Sequence, residues 1–128
     1  MLESEAVLVI IALCEMGHME LVSSEILLFE TQQITTASRR EYAVEALRKA
    51  NIIIRLDDEI KQRAREIADA GVMPMDALHL ASAEKAKADY FCTCDDKLLK
   101  KAKALCEPEM KVVSPVQLLE EMENDNGS

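Results

Sequence analysis

Along the chain, short apolar runs alternate with longer amphipathic ones. Residues 5–16, EAVLVIIALCEM, carry an apolar face flanked by glutamates over a length that suits a helix. Gly17 supplies its stop, because glycine enters the left-handed turn at a helix end without steric cost. Glu20 to Val22 reads as a short strand. Ser23 or Ser24 then caps a helix that runs through Glu30, its hydroxyl accepting from an open first-turn amide. Ile26, Leu27, Leu28 and Phe29 predict that this helix is mostly buried.

Residues 36–50 are amphipathic at helical spacing, with Tyr42, Ala43, Ala46, Leu47 and Ala50 inward and Arg39, Arg40, Arg48 and Lys49 outward. The β-branched run Ile52 to Leu56 is a strand. Asp57 or Asp58 caps the next helix, which ends at Gly71, and Pro74 suits the first turn of the one after. Tyr90 to Thr93 is a strand. Lys97 to Leu105 is a helix with Leu98, Ala102 and Leu105 on one side and Lys97, Lys100 and Lys101 on another. Lys111 to Val113 is a last strand. Ser114 caps a final helix to about Glu123, with Pro115 at its first position, and the tail 124–128 frays. Strands near 20, 52, 90 and 112 thus alternate with helices, the pattern of an α/β layer fold with a parallel sheet. No repeat or linker divides residues 1–123, which read as one domain.

Composition narrows the functions. The 128 residues are 49% hydrophobic, which suits a packed core and not a disordered chain. The apolar run Ala6 to Cys14 is too short to span a bilayer and has no basic leader, so neither membrane nor signal peptide is expected. The net charge of −9 argues against indiscriminate binding to nucleic acid. With 3% aromatic residues and no Trp, a base-stacking platform is not expected either. Cysteines 14, 92, 94 and 106 lack zinc-type CxxC spacing and suit a reducing cytoplasm. Cys92 and Cys94 fall on one face of a strand, where packing is the ordinary role and a metal or redox role the less common one.

The acids carry the chemistry. Open parallel sheets place sites beyond the carboxyl ends of their strands, where Asp95 and Asp96 fall; one of them also suits a helix cap. In DALHLASA, Asp76, His79 and Ser82 recur every third residue on an otherwise apolar helix. That stripe reads either as a structural network, with His79 a satisfied core histidine, or as part of a site. Glu30, at a helix end, faces solvent or joins the same site. Carboxylates gathered in one pocket repel and raise one another's pKa, and Mg²⁺ or Mn²⁺ is the usual neutralising ligand. Phosphodiester hydrolysis is the usual work of such a centre. No phosphate loop, nucleophile elbow or HExxH motif offers another chemistry.

The segments VSSEILLFE, MDALHLASAEKAKADYFCTCDDKLLKKA and VVSPVQLLEE resemble a PIN domain of the VapC-type toxin ribonuclease kind, over about residues 5 to 122. The resemblance implies a three-layer α/β/α fold with a central parallel sheet and RNA cleavage dependent on Mg²⁺ or Mn²⁺. It implies catalytic and metal-ligating roles for Glu30, Asp76 and Asp95, with Asp96 as a neighbouring ligand and Thr93 and His79 in support. Lys97, Lys100 and Lys101, or Arg39 and Arg40, are the RNA-contact candidates. Such proteins also suggest an antitoxin-like partner and a homodimer. This sequence departs from the family at its start, Met1-Leu2-Glu3-Ser4, where the opening strand and its metal-binding Asp are absent. A fragment or late start codon, degeneration with the sheet closed another way, or a strand donated by a partner would each account for that. The alternative function is a non-catalytic interaction module of the same fold.

Overall fold

The computed structural model describes residues 3–106 and 108–127, with side chains over 9–106 and 108–124. The elements are α1 (Glu3–Glu15), β1 (Val22–Ser24), α2 (Glu25–Gln32), α3 (Ala37–Arg48), β2 (Ile52–Ile54) and α4 (Asp58–Asp69). They continue with α5 (Pro74–Lys85), β3 (Tyr90–Cys92), α6 (Asp96–Leu105), β4 (Lys111–Val113) and α7 (Pro115–Gly127). The alternation expected from the sequence is present. Met1, Leu2 and Ser128 lie outside the described residues, as do the side chains of 125–127 in the tail. The backbone of α7 continues past Glu123 to Gly127.

Short polar side chains start the helices where their spacing predicts. Ser24 Oγ accepts from Leu27 N at 3.0 Å, and Asp57 Oδ1 accepts from Ile60 N at 2.8 Å. Ser114 and Gln117 cap reciprocally: Gln117 N donates to Ser114 Oγ at 3.1 Å and Ser114 N to Gln117 Oε1 at 3.0 Å. Pro74 stands in the first turn of α5, where its missing N–H removes no helical bond. Gly71, with φ of 110°, makes the turn out of α4 that a side chain would strain.

Both strand ladders are parallel. β1 pairs with β2 from Val22↔Ile52 to Ser24↔Ile54, and β3 pairs with β4 from Tyr90↔Lys111 to Cys92↔Val113. Among the described residues they form two separate two-stranded sheets, so β1 and β3 share no ladder. The central sheet implied by the resemblance is thus divided. Its halves are linked by helices: α5 packs against β1 and α2, and α7 against β3 and β4. Ser23, in the middle of β1, is 1% exposed, and its Oγ has no hydrogen-bond partner among the described residues.

The core lies between α4 and α5 and continues to α6 and β4. Ile60 and Ile67 of α4 meet Ala77, Leu80 and Ala81 of α5, with Leu98, Ala102 and Val112 closing the cluster. Arg63 fastens its rim. Its guanidinium donates to both carboxylate oxygens of Glu84 on α5, at 2.8 and 3.2 Å, and to the Leu105 carbonyl at the end of α6, at 3.0 Å.

The apolar pattern overstates burial elsewhere. Phe29 is 55% exposed and Ile26 to Leu28 are half-buried, so α2 is not mostly buried. Tyr42, expected inward, is 47% exposed; α3 packs on α2, and its buried positions are Ala46 and Leu47. The strand at Ile52 stops at Ile54, before Leu56.

Candidate active site

Asp76 is the centre of the acidic region. It lies in the first turn of α5, a favourable place for a negative charge because the open amides of a helix start are the positive end of its dipole. Its carboxyl is nonetheless raised above the ordinary aspartate range. Partial burial contributes most; the His79 charge opposes the rise, and Asp95 and then Glu30 add to it. Carboxylates from α2 and from the start of α6 therefore act on the carboxyl at the start of α5. Asp95 itself lies just past the carboxyl end of β3, where open parallel sheets place sites.

Glu30 and His79 form the closest pair. His79 Nε2 stands 3.0 Å from Glu30 Oε2, with the histidine side chain 14% exposed and the glutamate 41%. The contact lacks hydrogen-bond geometry, and Nε2, shielded from solvent, has no hydrogen-bond partner among the described residues. Glu30, on a separate helix, is thus the side chain that His79 meets. His79 lies one turn beyond Asp76 on the same side of α5, between two acids. Ser82, the third polar position of the stripe, is buried at 4% exposure.

Asp95 has two duties. It is the N-cap of α6, and its Oδ1 accepts from Lys97 N at 2.9 Å and Leu98 N at 3.2 Å. It is also the second acid that raises Asp76. Thr93 supports the turn: its Oγ1 accepts from Asp95 N at 3.1 Å, while its own amide donates to the Val113 carbonyl at 3.0 Å. The cap expected of Asp95 or Asp96 falls to Asp95, and Asp96 is the exposed first residue of α6.

The donor chemistry is that of a hard divalent ion, because all three acids offer oxygen. The spacing is not. Among the described residues no three His, Cys, Asp or Glu side chains are grouped closely enough to hold an ion. As placed, one oxygen of Asp95 is engaged in the cap and one of Glu30 faces His79. Among the described residues these acids make no closed cage as placed.

The basic candidates divide. Lys97 and Lys100 are exposed on α6 beside Asp95. Lys101 is exposed but its Nζ donates to the Gly71 carbonyl at 2.8 Å, a link from α6 to the end of α4. Arg39 is exposed on α3, whereas Arg40 is half-buried and donates to the Ile34 carbonyl at 2.9 Å. Sequence spacing gave no signal for either carbonyl contact. Cys92 and Cys94, expected to pack, are both exposed. No helix among the described residues is long and apolar enough to cross a membrane.

Residues 3–104 match the family model described as PIN domain. No curated protein and no solved structure matches the chain significantly. The match covers far more than half of the 128 residues and includes Glu30, Asp76 and Asp95. The chain belongs to the PIN domain family, a nuclease fold whose members are in general dependent on divalent metal.

Proposed function

We propose that the chain is a PIN-type ribonuclease of the toxin kind whose acidic centre is incomplete as it stands. The observation that supports this reading is the 3.0 Å contact between His79 Nε2 and Glu30 Oε2, one helical turn from Asp76, whose carboxyl Asp95 and Glu30 help to raise. Mg²⁺ or Mn²⁺, when bound, would supply the Lewis acid for hydrolysis of an RNA phosphodiester. Glu30, Asp76 and Asp95 would be its carboxylates, with Asp96 beside them. Lys97 and Lys100 neutralise RNA phosphates and set the strand beside the acids, while Lys101 and Arg40 are held by carbonyls. Thr93 holds the turn that aims Asp95. The cysteine spacing, without a zinc-type pair, suits a reducing cytoplasm. An antitoxin-like protein and a second copy of the chain are the partners this reading implies.

The test compares the chain with Asp76→Asn, using labelled single-stranded RNA and Mn²⁺. Weak, metal-dependent cleavage that Asp76→Asn abolishes supports the reading. Cleavage that the substitution leaves unchanged contradicts it, because the activity would then come from elsewhere.

One observation favours a second reading, the non-catalytic interaction module. Each strand pair leaves one edge of β1 and one of β3 without a ladder among the described residues. Open sheet edges accept added strands. RNA left intact under every divalent ion, together with a dimer or a stable partner complex in solution, selects this reading over the first.

A further inference from the structure

We propose that His79 is a positioning residue whose Nε2–H holds the Glu30 carboxylate beside the start of α5. The inference rests on the proposed ribonuclease reading only for the use made of Glu30; the contact itself does not depend on what the centre does.

Neighbouring carboxylates need a reason to stay together. Glu30, on α2, adds to the rise of the Asp76 carboxyl, so the two charges oppose each other. The Glu30 side chain is 41% exposed and stands near the end of its helix. A glutamate left to itself there turns outward, which relieves the repulsion and restores its rotamer freedom. Its Oε2 instead lies 3.0 Å from His79 Nε2, and among the described residues His79 is its ion-pair partner.

The imidazole is the fixed member of the pair. Its side chain is 14% exposed, and Ala77 and Leu80 beside it on α5 are both at 0%. Nε2 is shielded from solvent and has no aligned partner among the described residues. A buried ring nitrogen without a hydrogen bond is costly, and an ionised carboxylate can only accept. A proton on Nε2 answers both needs with one bond, in which Nε2 donates and Glu30 Oε2 accepts. With the proton on Nδ1 alone, a bare Nε2 lone pair would face the carboxylate oxygen and repel it. The bond closes by a turn of the more exposed Glu30 side chain. Contacts at catalytic centres are often poorly aligned at rest and tighten in the reacting complex. The three-residue step from Asp76 to His79 thus lets one helix carry an acid and the donor that draws a second acid to it from another helix.

The test is nuclear magnetic resonance of the full chain, labelled with ¹⁵N in histidine and ¹³C in glutamate, at about pH 8, above the ordinary histidine range. The expected result is a His79 ring that carries its proton on Nε2, and a Glu30 carboxyl signal displaced from those of exposed glutamates. His79→Leu, folded by circular dichroism, moves that signal to the exposed position. His79→Gln, which keeps an N–H near the place of Nε2, leaves it close to the parent value. If His79 only filled space, Leu would preserve the signal as well as Gln does. A bare Nε2, or a Glu30 signal that His79→Leu leaves unmoved, overturns the proposal. If His79→Leu does not fold, Glu30→Leu decides from the more exposed side: shifted His79 ring signals and faster exchange of the Nε2 proton support the contact, and unchanged ones overturn it. None of these readouts depends on RNA cleavage. A chain that keeps the contact but leaves RNA intact therefore rejects the ribonuclease reading alone.

Discussion

Helices α1 and α5 reverse the expectation that the more apolar segment is the more buried. α1 contains the longest apolar run of the chain, yet none of its described side chains, Val9 to Glu15, is buried, and α7 is its main packing partner. α5 carries Asp76, His79, Ser82 and Glu84 among its alanines and leucines, yet Ala77 and Leu80 are both 0% exposed. The difference lies in neighbours. α5 packs against α4, α2 and β1, so its small apolar positions meet other elements along its length, while Asp76 and His79 meet the neighbouring acids. Burial here is decided by where a helix sits among the others. Polar residues on the better-packed helix are therefore the more informative for function.

Truncating a buried apolar side chain of α5 and an exposed one of α2 gives the sharpest contrast. Leu80→Ala is expected to cost about 3 kcal/mol in urea unfolding, because it leaves a cavity under α4. Phe29→Ala, at an exposed position, is expected to stay within about 0.5 kcal/mol of the parent. Equal losses would show that α2 is buried after all. Arg63→Ala comes next, at about 2 kcal/mol, because it leaves Glu84, with its side chain 11% exposed, without its bidentate partner at the core rim. Chemical denaturation of Arg63→Ala beside Glu84→Gln and the double variant would show whether the two changes are coupled.

The two aspartate caps separate structure from site. Asp57→Ala is expected to lower stability by about 1 kcal/mol, the ordinary loss of a cap. Asp95→Ala loses a similar cap but also relieves the repulsion on Asp76, so its net loss is expected to be smaller. Thermal melts of the two variants measure the gap.

The smallest effect concerns pH. Because the folded Asp76 carboxyl is raised above its unfolded value, the native state takes up its proton first as pH falls. Between the unfolded and folded pKa values the native state holds more protons, so this residue's contribution to stability declines as pH rises through that window. Asp76→Asn removes that decline. Melts of the parent and Asp76→Asn across the acidic range should converge at low pH and diverge upward, with the variant the more stable above the window.

Local chemistry made much of this legible in advance. Ser114 is readable as a cap, and Ser24 and Asp57 each as one of two adjacent candidates, because a cap is a neighbourly hydrogen bond, and the parallel alternation follows from strand and helix periods. Asp76 and Asp95 are visible as acids next to apolar elements, whereas Glu30 is singled out only by the family resemblance. What sequence could not supply was long-range. Nothing near Ile52 or Tyr90 encodes that their ladders form separate pairs. The exposure of Phe29 and Tyr42 depends on which elements fail to cover them. The pairing of His79 with Glu30, residues on separate helices, follows only from the way α2 packs on α5, and the tie from Lys101 to Gly71 is equally invisible to spacing.

The central claim is that Glu30, Asp76 and Asp95 still make one ion-responsive centre, though not a preformed cage. Calorimetric titration of Mn²⁺ into the chain and into Asp76→Asn tests it most directly. Binding in the range of about 1 mM, weak for a carboxylate site, and removed by Asp76→Asn, is the predicted result. No binding to either protein, or equal binding to both, would contradict the claim and leave the acids as a helix cap, an ion pair and a surface charge.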